Sequence, residues 1–357
     1  MTRQGRAPRL AVFVSGHGFG HLVRTSAVLT ALVALRSVRL IVVTAAPASI
    51  WPRELERHTE RWVNSPCDAG VVQTDELHVD AAATREAVDR WHERASVVRD
   101  SILVTLADAG GIDGVLGDVP PMAFEIASTL GVPSIAVANF SWDWIYAEMG
   151  LTAAADAARR AYERTTLLLA ATPAAPMNAF PRHSTIGVVG RRARGAAEVV
   201  RRNVGIAPGE RCVLLAMRPE LLARMKLPPR AAGVRYVGPT GWPCTRSDCV
   251  ALPVGVDFSD ALSLADAVVA RAGYGVIGDC ATNEIPLVWV RRVGFPEDSI
   301  LADWLAHRDG AREVTVDALE GGGWSAALND LWSRPRAKQS NEDGAALAAG
   351  EIAQLLD

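Results

Sequence analysis

The chain contains no apolar run of the roughly 20 residues that a membrane-spanning helix needs. It has little charge excess, and a net charge of -3 gives no general attraction to nucleic acid or to an anionic membrane surface. Cysteine is sparse: the five, at 67, 212, 244, 249 and 280, are odd in number and scattered. Cys244 and Cys249 share a proline-containing loop, but no second pair completes a zinc set. We read them as reduced thiols and leave an isolated loop disulfide open. Arg3, Arg6 and Arg9 are followed by only five apolar residues, Leu10 to Val14, too few for the core of a signal peptide. A cytoplasmic protein without a transmembrane segment is therefore expected. Neither the dinucleotide-binding glycine fingerprint nor a Walker lysine is present, and no segment is of low complexity.

What is present suits an ordinary globular protein. A length of 357 residues is comfortable for two domains, and 49% apolar with 22% charged residues provides material for sizeable cores. Leu10 to Val14 has strand length and β-branched content, while Leu22, Val23, Val28, Leu29, Leu32 and Leu35 recur at helical spacing. Between them, Ser15-Gly16-His17-Gly18-Phe19-Gly20-His21 forms a tight strand-to-helix turn. Its glycines permit positive φ and close approach, and the first helical turn presents unpaired N–H groups, which favours an anion or a polar substrate. Imidazole titrates near neutrality, so His17 and His21 are candidates for proton transfer. The structural alternative is that one caps the turn and the other is a hydrogen-bonded core residue.

Val38 to Ala46 (VRLIVVTAA) is almost continuously apolar, the pattern of a strand covered on both faces. Ile50 to Asn64 reads as a solvated helix, Val71 and Val72 as part of a short strand, and Ala82 to Ala109 as a long helix. The strand Gly114 to Val119 carries Asp118 and stops at Pro120-Pro121. The helix Met122 to Leu130 ends at Gly131, and the strand Ser134 to Ala138 runs into Asn139-Phe140-Ser141-Trp142-Asp143-Trp144. Thr166 to Ala171 is a further strand. Such alternation predicts a doubly wound parallel sheet, whose ligands bind beyond the carboxyl ends of the strands. His17, His21, Asp118 and Asn139 to Asp143 all lie at such ends.

The arginine-rich stretch Gly187 to Gly205 reads as a linker passing into a wet helix face, or as a phosphate contact. Alternation restarts at Cys212 to Met217, so domains are expected over 1–190 and 191–340, with a terminal helix at 341–357. Short strands follow at Arg235 to Val237, Val250 to Leu252 and Ala267 to Ala270. A second glycine turn, Gly273-Tyr274-Gly275, enters a helix with Asp279 one turn in. Backbone N–H groups at such a helix start supply donors and a partial positive charge for a diphosphate. Asp279 is placed to accept the hydroxyls of a ribose. The alternatives are close helix packing and a dipole-favoured carboxylate. Pro286 to Arg292 is the next strand, and Phe295-Pro296-Glu297-Asp298 begins another helix.

SGHGFGH at 15–21, GDVPP at 117–121, NFSWDWIYAE at 139–148 and DALSLADAVVARAGYG at 260–275, followed by PLVWVRR, together resemble a bacterial group of predicted glycosyltransferases. They are also similar to the non-kinase, amino-terminal region of plant arabinokinases. The resemblance spans nearly the whole chain. It implies the GT-B fold: two Rossmann-like doubly wound α/β domains facing a central cleft, with a nucleotide-sugar donor held by the carboxyl-terminal one. The phosphate-loop kinase segment has no counterpart here, so sugar phosphorylation is not implied. Gly20-His21 looks like the Gly-His of inverting plant glucosyltransferases, which makes His21 the general base for an acceptor hydroxyl and Asp118 the group that holds its tautomer.

The same resemblance suggests Gly18, Gly20, Arg218, Gly273, Tyr274, Gly275, Asp279, Glu297 and Asp298 as donor contacts. Asn139, Trp142 and Asp143 are suggested as acceptor contacts, with no metal and no cofactor besides the nucleotide-sugar substrate. For Trp142 and its neighbours, a core tryptophan pair is an equal alternative. The chain departs from its relatives at Ala216-Met217-Arg218-Pro219-Glu220, where a glycine-containing loop is usual, and at Gly278-Asp279, where Ser-Glu is usual. A transferase acting on a small-molecule acceptor is the reading adopted. A nucleotide-sugar epimerase or hydrolase, or a non-catalytic nucleotide-sugar binder, is the alternative.

Overall fold

The computed structural model describes residues 6–195, 197–334 and 343–357, and only the backbone of Phe19. Arg3, and Glu342 where the sequence starts the last helix, lie outside the described residues. The chain separates into two compact units. One holds residues 6–72, 80–189 and 343–357, and the other holds 73–79, 190–195 and 197–334.

In the first unit β1 (Arg9–Val14) leads into α1 (Phe19–Leu35), and β2 (Arg39–Thr44) follows. Next come α2 (Arg53–Glu56), β3 (Thr59–Asn64), α3 (Ala81–Asp108), β4 (Gly114–Asp118), α4 (Pro121–Leu130) and β5 (Ser134–Ala138). The run ends with α5 (Trp142–Glu148), α6 (Thr152–Tyr162), β6 (Leu167–Ala170) and β7 (His183–Thr185). All seven strands pair in parallel in the order β3-β2-β1-β4-β5-β6-β7. The apolar runs of β1, β2, β4 and β5 are buried along nearly their whole length, as a sheet covered on both faces requires.

Two expectations differ from the structure here: Val71 and Val72 lie outside any strand, and Ile50 to Asn64 is not one helix. Only Arg53–Glu56 is α-helical, and Thr59–Asn64 is the edge strand β3, half-exposed and polar, so it lacks the apolar signature of a covered strand. The long helix α3 begins where Asp80 accepts a hydrogen bond from the Ala83 amide at 2.9 Å, satisfying one unpaired donor of its first turn.

The second unit repeats the plan with α7 (Ala197–Val204), β8 (Arg211–Ala216), α8 (Pro219–Arg224), β9 (Val234–Gly238), β10 (Cys249–Ala251) and α9 (Phe258–Leu262). It continues through β11 (Ala267–Arg271), α10 (Tyr274–Thr282), β12 (Leu287–Val290), α11 (Asp298–Ala306), β13 (Ala311–Val314), α12 (Val316–Gly321) and α13 (Ser325–Ser333). Its six parallel strands run β10-β9-β8-β11-β12-β13. Counted within each unit, both sheets share the order 3-2-1-4-5-6, the doubly wound arrangement in which direction reverses beside the first strand. One core layer of this unit gathers Tyr236, Leu319 and Trp324. Trp324 has no exposed surface, and its indole N–H reaches the Lys226 carbonyl at 3.0 Å.

The last helix, α14 (Gly344–Leu355), returns to the first unit. Its small residues Ala345, Ala348 and Ala349, with Ile352, join the core that contains Val28, Leu29 and Leu32 of α1. Fully burying a leucine contributes about 1.5–3 kcal/mol, so this packing is a substantial tie. Arg36 closes it, donating to the Ala353 carbonyl at 2.6 Å and to Asp357 at 2.8 Å. Among the described residues no helix is long and apolar enough to cross a membrane.

Candidate active site

Strand β1 pairs with β4 in a register that sets Val14 beside Asp118, the last residue of β4. This is the reversal point of the first sheet. Gly18 caps α1 with φ +89°, a conformation in which a side chain would be strained, and no side chain caps the helix. Positions 21, 24 and 25 then fall on one face of the first turns, because residues three and four apart are neighbours on a helix. All three reach Asp118.

The imidazole of His21 places Nδ1 2.8 Å from Asp118 Oδ1. Thr25 donates its hydroxyl to Oδ2 at 2.8 Å, and Arg24 donates Nε to the same oxygen at 3.0 Å. A second guanidinium nitrogen of Arg24 bonds Oδ1, and the third bonds the side-chain oxygen of Asn139. Asn139 in turn donates to the carbonyls of Ala171 and Pro173 at 2.7 and 2.8 Å. Asp118 is fully enclosed, Arg24 is 3% exposed and His21 is 8% exposed, so only the histidine offers a rim to a ligand. Burial pushes the Asp118 carboxyl up, but the charges of Arg24 and His21 and the hydrogen bonds from both outweigh it. The group ends below the ordinary aspartate range.

A carboxylate only accepts, so the proton of the 2.8 Å contact sits on His21 Nδ1. Arg24, 3.2 Å from that nitrogen, then has no lone pair there to donate to. In the neutral imidazole Nε2 then carries the lone pair, and among the described residues nothing hydrogen-bonds it. Immediately after Asp118, Val119 has φ +91°, strained for a β-branched residue. Its carbonyl accepts from the buried Tyr162 hydroxyl at 2.7 Å, which helps hold it there.

A second carboxylate of this unit was not singled out from sequence. Asp68 follows β3 and is 4% exposed. It accepts from the Ser15 hydroxyl at 3.2 Å and from the Trp142 indole N–H at 2.8 Å, and lies 3.6 Å from Nε2 of His17. The His17 ring rests over Gly70, whose φ is +65° and where a Cβ would come within 2.0 Å of the imidazole. His17 is thus held beside a buried carboxylate while its side chain stays 37% exposed. The signal in the sequence was the Asp-Ala-Gly run after a strand, obscured because that strand was read as helix.

Trp142 is 3% exposed, stacked on Tyr146 at 5.4 Å and edge-on to Phe140, which packs against His21 at 5.5 Å. It forms an interior wall behind the histidine and not an open platform. Burial raises the Tyr146 phenol well above its ordinary value, so it stays neutral. Asp143 accepts from the Ser141 hydroxyl and lies 3.9 Å from Arg159, and Asn139 is committed to Arg24. Asn139 has its oxygen and both amide hydrogens engaged, whereas Asp143 keeps acceptor capacity beyond Ser141.

In the second unit the corresponding reversal lies between β8 and β11. Gly273 is the N-cap of α10, whose first residues are Tyr274 and Gly275, and no side chain caps that helix. Arg271, the last residue of β11, sets a guanidinium nitrogen 3.2 Å from where a Gly273 Cβ would stand. Its Nε donates to Glu76 at 3.0 Å, and the other Glu76 oxygen accepts from the Arg218 amide at 2.9 Å. Burial and the like charges of Arg292 and Arg218 lower the Arg271 pKa, against the opposing pull of Glu76. No local sequence pattern marks Arg271 or Glu76, which lie 195 residues apart.

The remaining sequence candidates are engaged elsewhere. Asp279, expected at a ribose, has no exposed surface. Its oxygens take the Arg191 amide at 2.7 Å and the Arg191 guanidinium at 2.6 and 3.2 Å. Gly190 packs so close to Gly278 that a Cβ would lie 2.2 Å from its carbonyl oxygen. Asp279 is therefore a staple between the chain entering this unit and α10, which corrects the ribose reading. Glu297 and Asp298, expected at the donor sugar, both bind Arg292, at 2.9 and 2.5 Å. That guanidinium lies 3.9 Å from the Phe295 ring. Burial raises the Asp298 carboxyl despite Arg292.

No family model matches the chain. It is 29% identical to L-arabinokinase of Arabidopsis thaliana over 360 residues, covering 95% of this chain and 33% of that enzyme. The chain thus spans about a third of the length of that relative. UGT89C1 of Arabidopsis thaliana, solved with UDP, superposes over 98% of this chain and 100% of its own with 14% identity and a TM-score of 0.60. The glycosyltransferase SnogD of Streptomyces nogalater superposes over 99% and 100% with 15% identity and a TM-score of 0.60. The fold is GT-B. In this GT-B chain the histidine–carboxylate pair belongs to the first unit and the arginine-flanked helix start to the second, each at the reversal point of its own sheet.

Proposed function

We propose that the protein is a glycosyltransferase that takes a sugar from a nucleoside-diphosphate sugar, UDP-linked by preference, and passes it with inversion to a hydroxyl of a small-molecule acceptor. The observation that carries this reading is the buried His21–Asp118 pair, 2.8 Å apart, which leaves Nε2 of His21 bare. That nitrogen removes the hydroxyl proton as the oxygen attacks the anomeric carbon, the bond to the diphosphate breaks, and the nucleoside diphosphate leaves. Asp118 stabilises the imidazolium, and Arg24 fixes Asp118 in place while sharing its charge.

The helix start at Gly273, Tyr274 and Gly275 and the Arg271 guanidinium receive the diphosphate, where fixed amide dipoles and a cation stabilise developing negative charge without a metal. The GT-B fold and the UDP and glycosyltransferase descriptions of the superposed proteins support the assignment.

Thermal unfolding with UDP, GDP, TDP and ADP in large excess tests it. A ligand at about 100 times its dissociation constant stabilises by roughly 2.7 kcal/mol. A shift selective for UDP supports the reading, and no shift with any of the four contradicts it.

A further inference from the structure

In the second unit, two donors at the proposed diphosphate site, the Arg271 Nε and the Arg218 amide, already hold an anion. Glu76 is 7% exposed, and its two oxygens take the Arg218 amide at 2.9 Å and the Arg271 Nε at 3.0 Å. Those two donors come from the ends of β8 and β11, on either side of the point where the sheet reverses. A backbone N–H has one hydrogen to give, and so does an arginine Nε. A phosphate oxygen can use either only when the carboxylate leaves it.

The segment that carries Glu76 is pinned on both sides. Leu77 has no exposed surface and sits in the core with Leu215 and Val290. Its carbonyl accepts from the Val293 amide at 2.6 Å, and the Val79 amide donates to the Val293 carbonyl at 3.4 Å. Asp75 accepts from the amides of Leu77 and His78 at 2.7 and 3.0 Å and pairs with Arg224 at 3.2 Å. The backbone is fixed, and what can move is the Glu76 side chain. The neighbouring Arg292 does not share this role, because Glu297 and Asp298 already balance its charge.

We propose that Glu76 is a built-in anion that occupies the diphosphate-binding donors of the second unit and is displaced by the incoming diphosphate, so that donor affinity is set by competition with its carboxylate. This rests on the donor site assigned above. The carboxylate keeps the Arg218 amide and the Arg271 guanidinium satisfied and oriented until a stronger acceptor arrives. It also makes Glu76 a determinant of ligand charge, because a monoanion competes with the carboxylate on even terms while a diphosphate brings more charge and more oxygens.

The test is calorimetric titration of the full chain and of Glu76→Gln and Glu76→Asp with inorganic pyrophosphate and with UDP. Glu76→Gln keeps the shape and removes the charge, and is expected to bind pyrophosphate at least tenfold more tightly than the unsubstituted protein. Glu76→Asp keeps the charge and is expected to show no such gain. Equal or weaker pyrophosphate binding by Glu76→Gln, or no binding to either protein, overturns the proposal and leaves Glu76 as a support for Arg271. A pyrophosphate gain in Glu76→Gln with no UDP binding to any of the proteins sustains the Glu76 role and removes the nucleotide-sugar reading.

Discussion

Arg24 and His21 share one carboxylate. Nδ1 of His21 lies 2.8 Å from Asp118 Oδ1, while Arg24 bonds both oxygens of the same group, one of them through Nε at 3.0 Å. The arginine therefore does two opposing things. It anchors the carboxylate in the orientation that fixes the histidine tautomer, and it takes up part of the negative charge that would otherwise stabilise an imidazolium.

Removing Arg24 leaves Asp118 fully buried with a reduced set of partners. Breaking a buried ion pair from one side costs about 3–5 kcal/mol. Arg24→Met is expected to lose stability on that scale in urea unfolding at pH 7. A loss below about 1 kcal/mol, the range of exposed ion pairs, contradicts the anchoring role.

Asp118 titrates below its ordinary value in the folded chain, so its charge stabilises the fold above the unfolded pKa and that contribution is lost as pH falls through the folded pKa. The stability difference between the unsubstituted protein and Asp118→Asn is expected to hold from neutrality down to about pH 4 and to shrink below it. Urea unfolding of both proteins at a series of pH values reads this directly. A difference that stays constant to pH 2.5 refutes it.

Much of the fold was legible in the sequence because covered parallel strands are continuous apolar runs. Val12 to Val14, Ile41 to Val43 and Val268 to Ala270 announce themselves. The edge strand Thr59–Asn64 did not, since an exposed edge needs no apolar face and its Thr-Glu-Arg-Trp pattern suits a wet helix equally. At the site, the glycine turn and the strand-end aspartate could be read, because strand ends converge in any doubly wound sheet. Which carboxylates are already engaged could not: Asp279 is claimed by Arg191, 88 residues earlier, and Arg271 by Glu76, 195 residues earlier. No local pattern encodes those pairings.

The staple at Asp279 separates stability from ligand binding. Asp279→Asn keeps an acceptor for the Arg191 amide but loses the ion pair, and hydrogen bonds to charged groups contribute about 1.5–3 kcal/mol. Unfolding free energy is expected to fall by that amount, with the UDP dissociation constant unchanged within a factor of two. A large loss of UDP affinity at full stability restores the ribose role.

Gly70 is constrained twice, by φ +65° and by the His17 ring on the side where a Cβ would project. Gly70→Ala is expected to destabilise by about 1–3 kcal/mol and to displace His17 from Asp68. The histidine carbon-bound proton shifts in NMR spectra report the displacement. Unchanged His17 resonances in a folded Gly70→Ala protein contradict the packing described.

The most direct measurement is the transfer rate of His21→Ala from the donor selected by the nucleotide panel to a set of monosaccharide and phenol acceptors. A positioned general base contributes about 10²- to 10⁴-fold, and the account predicts a loss of that size with the nucleotide-induced thermal shift unchanged. Transfer at a near wild-type rate contradicts the assignment of His21 as the base.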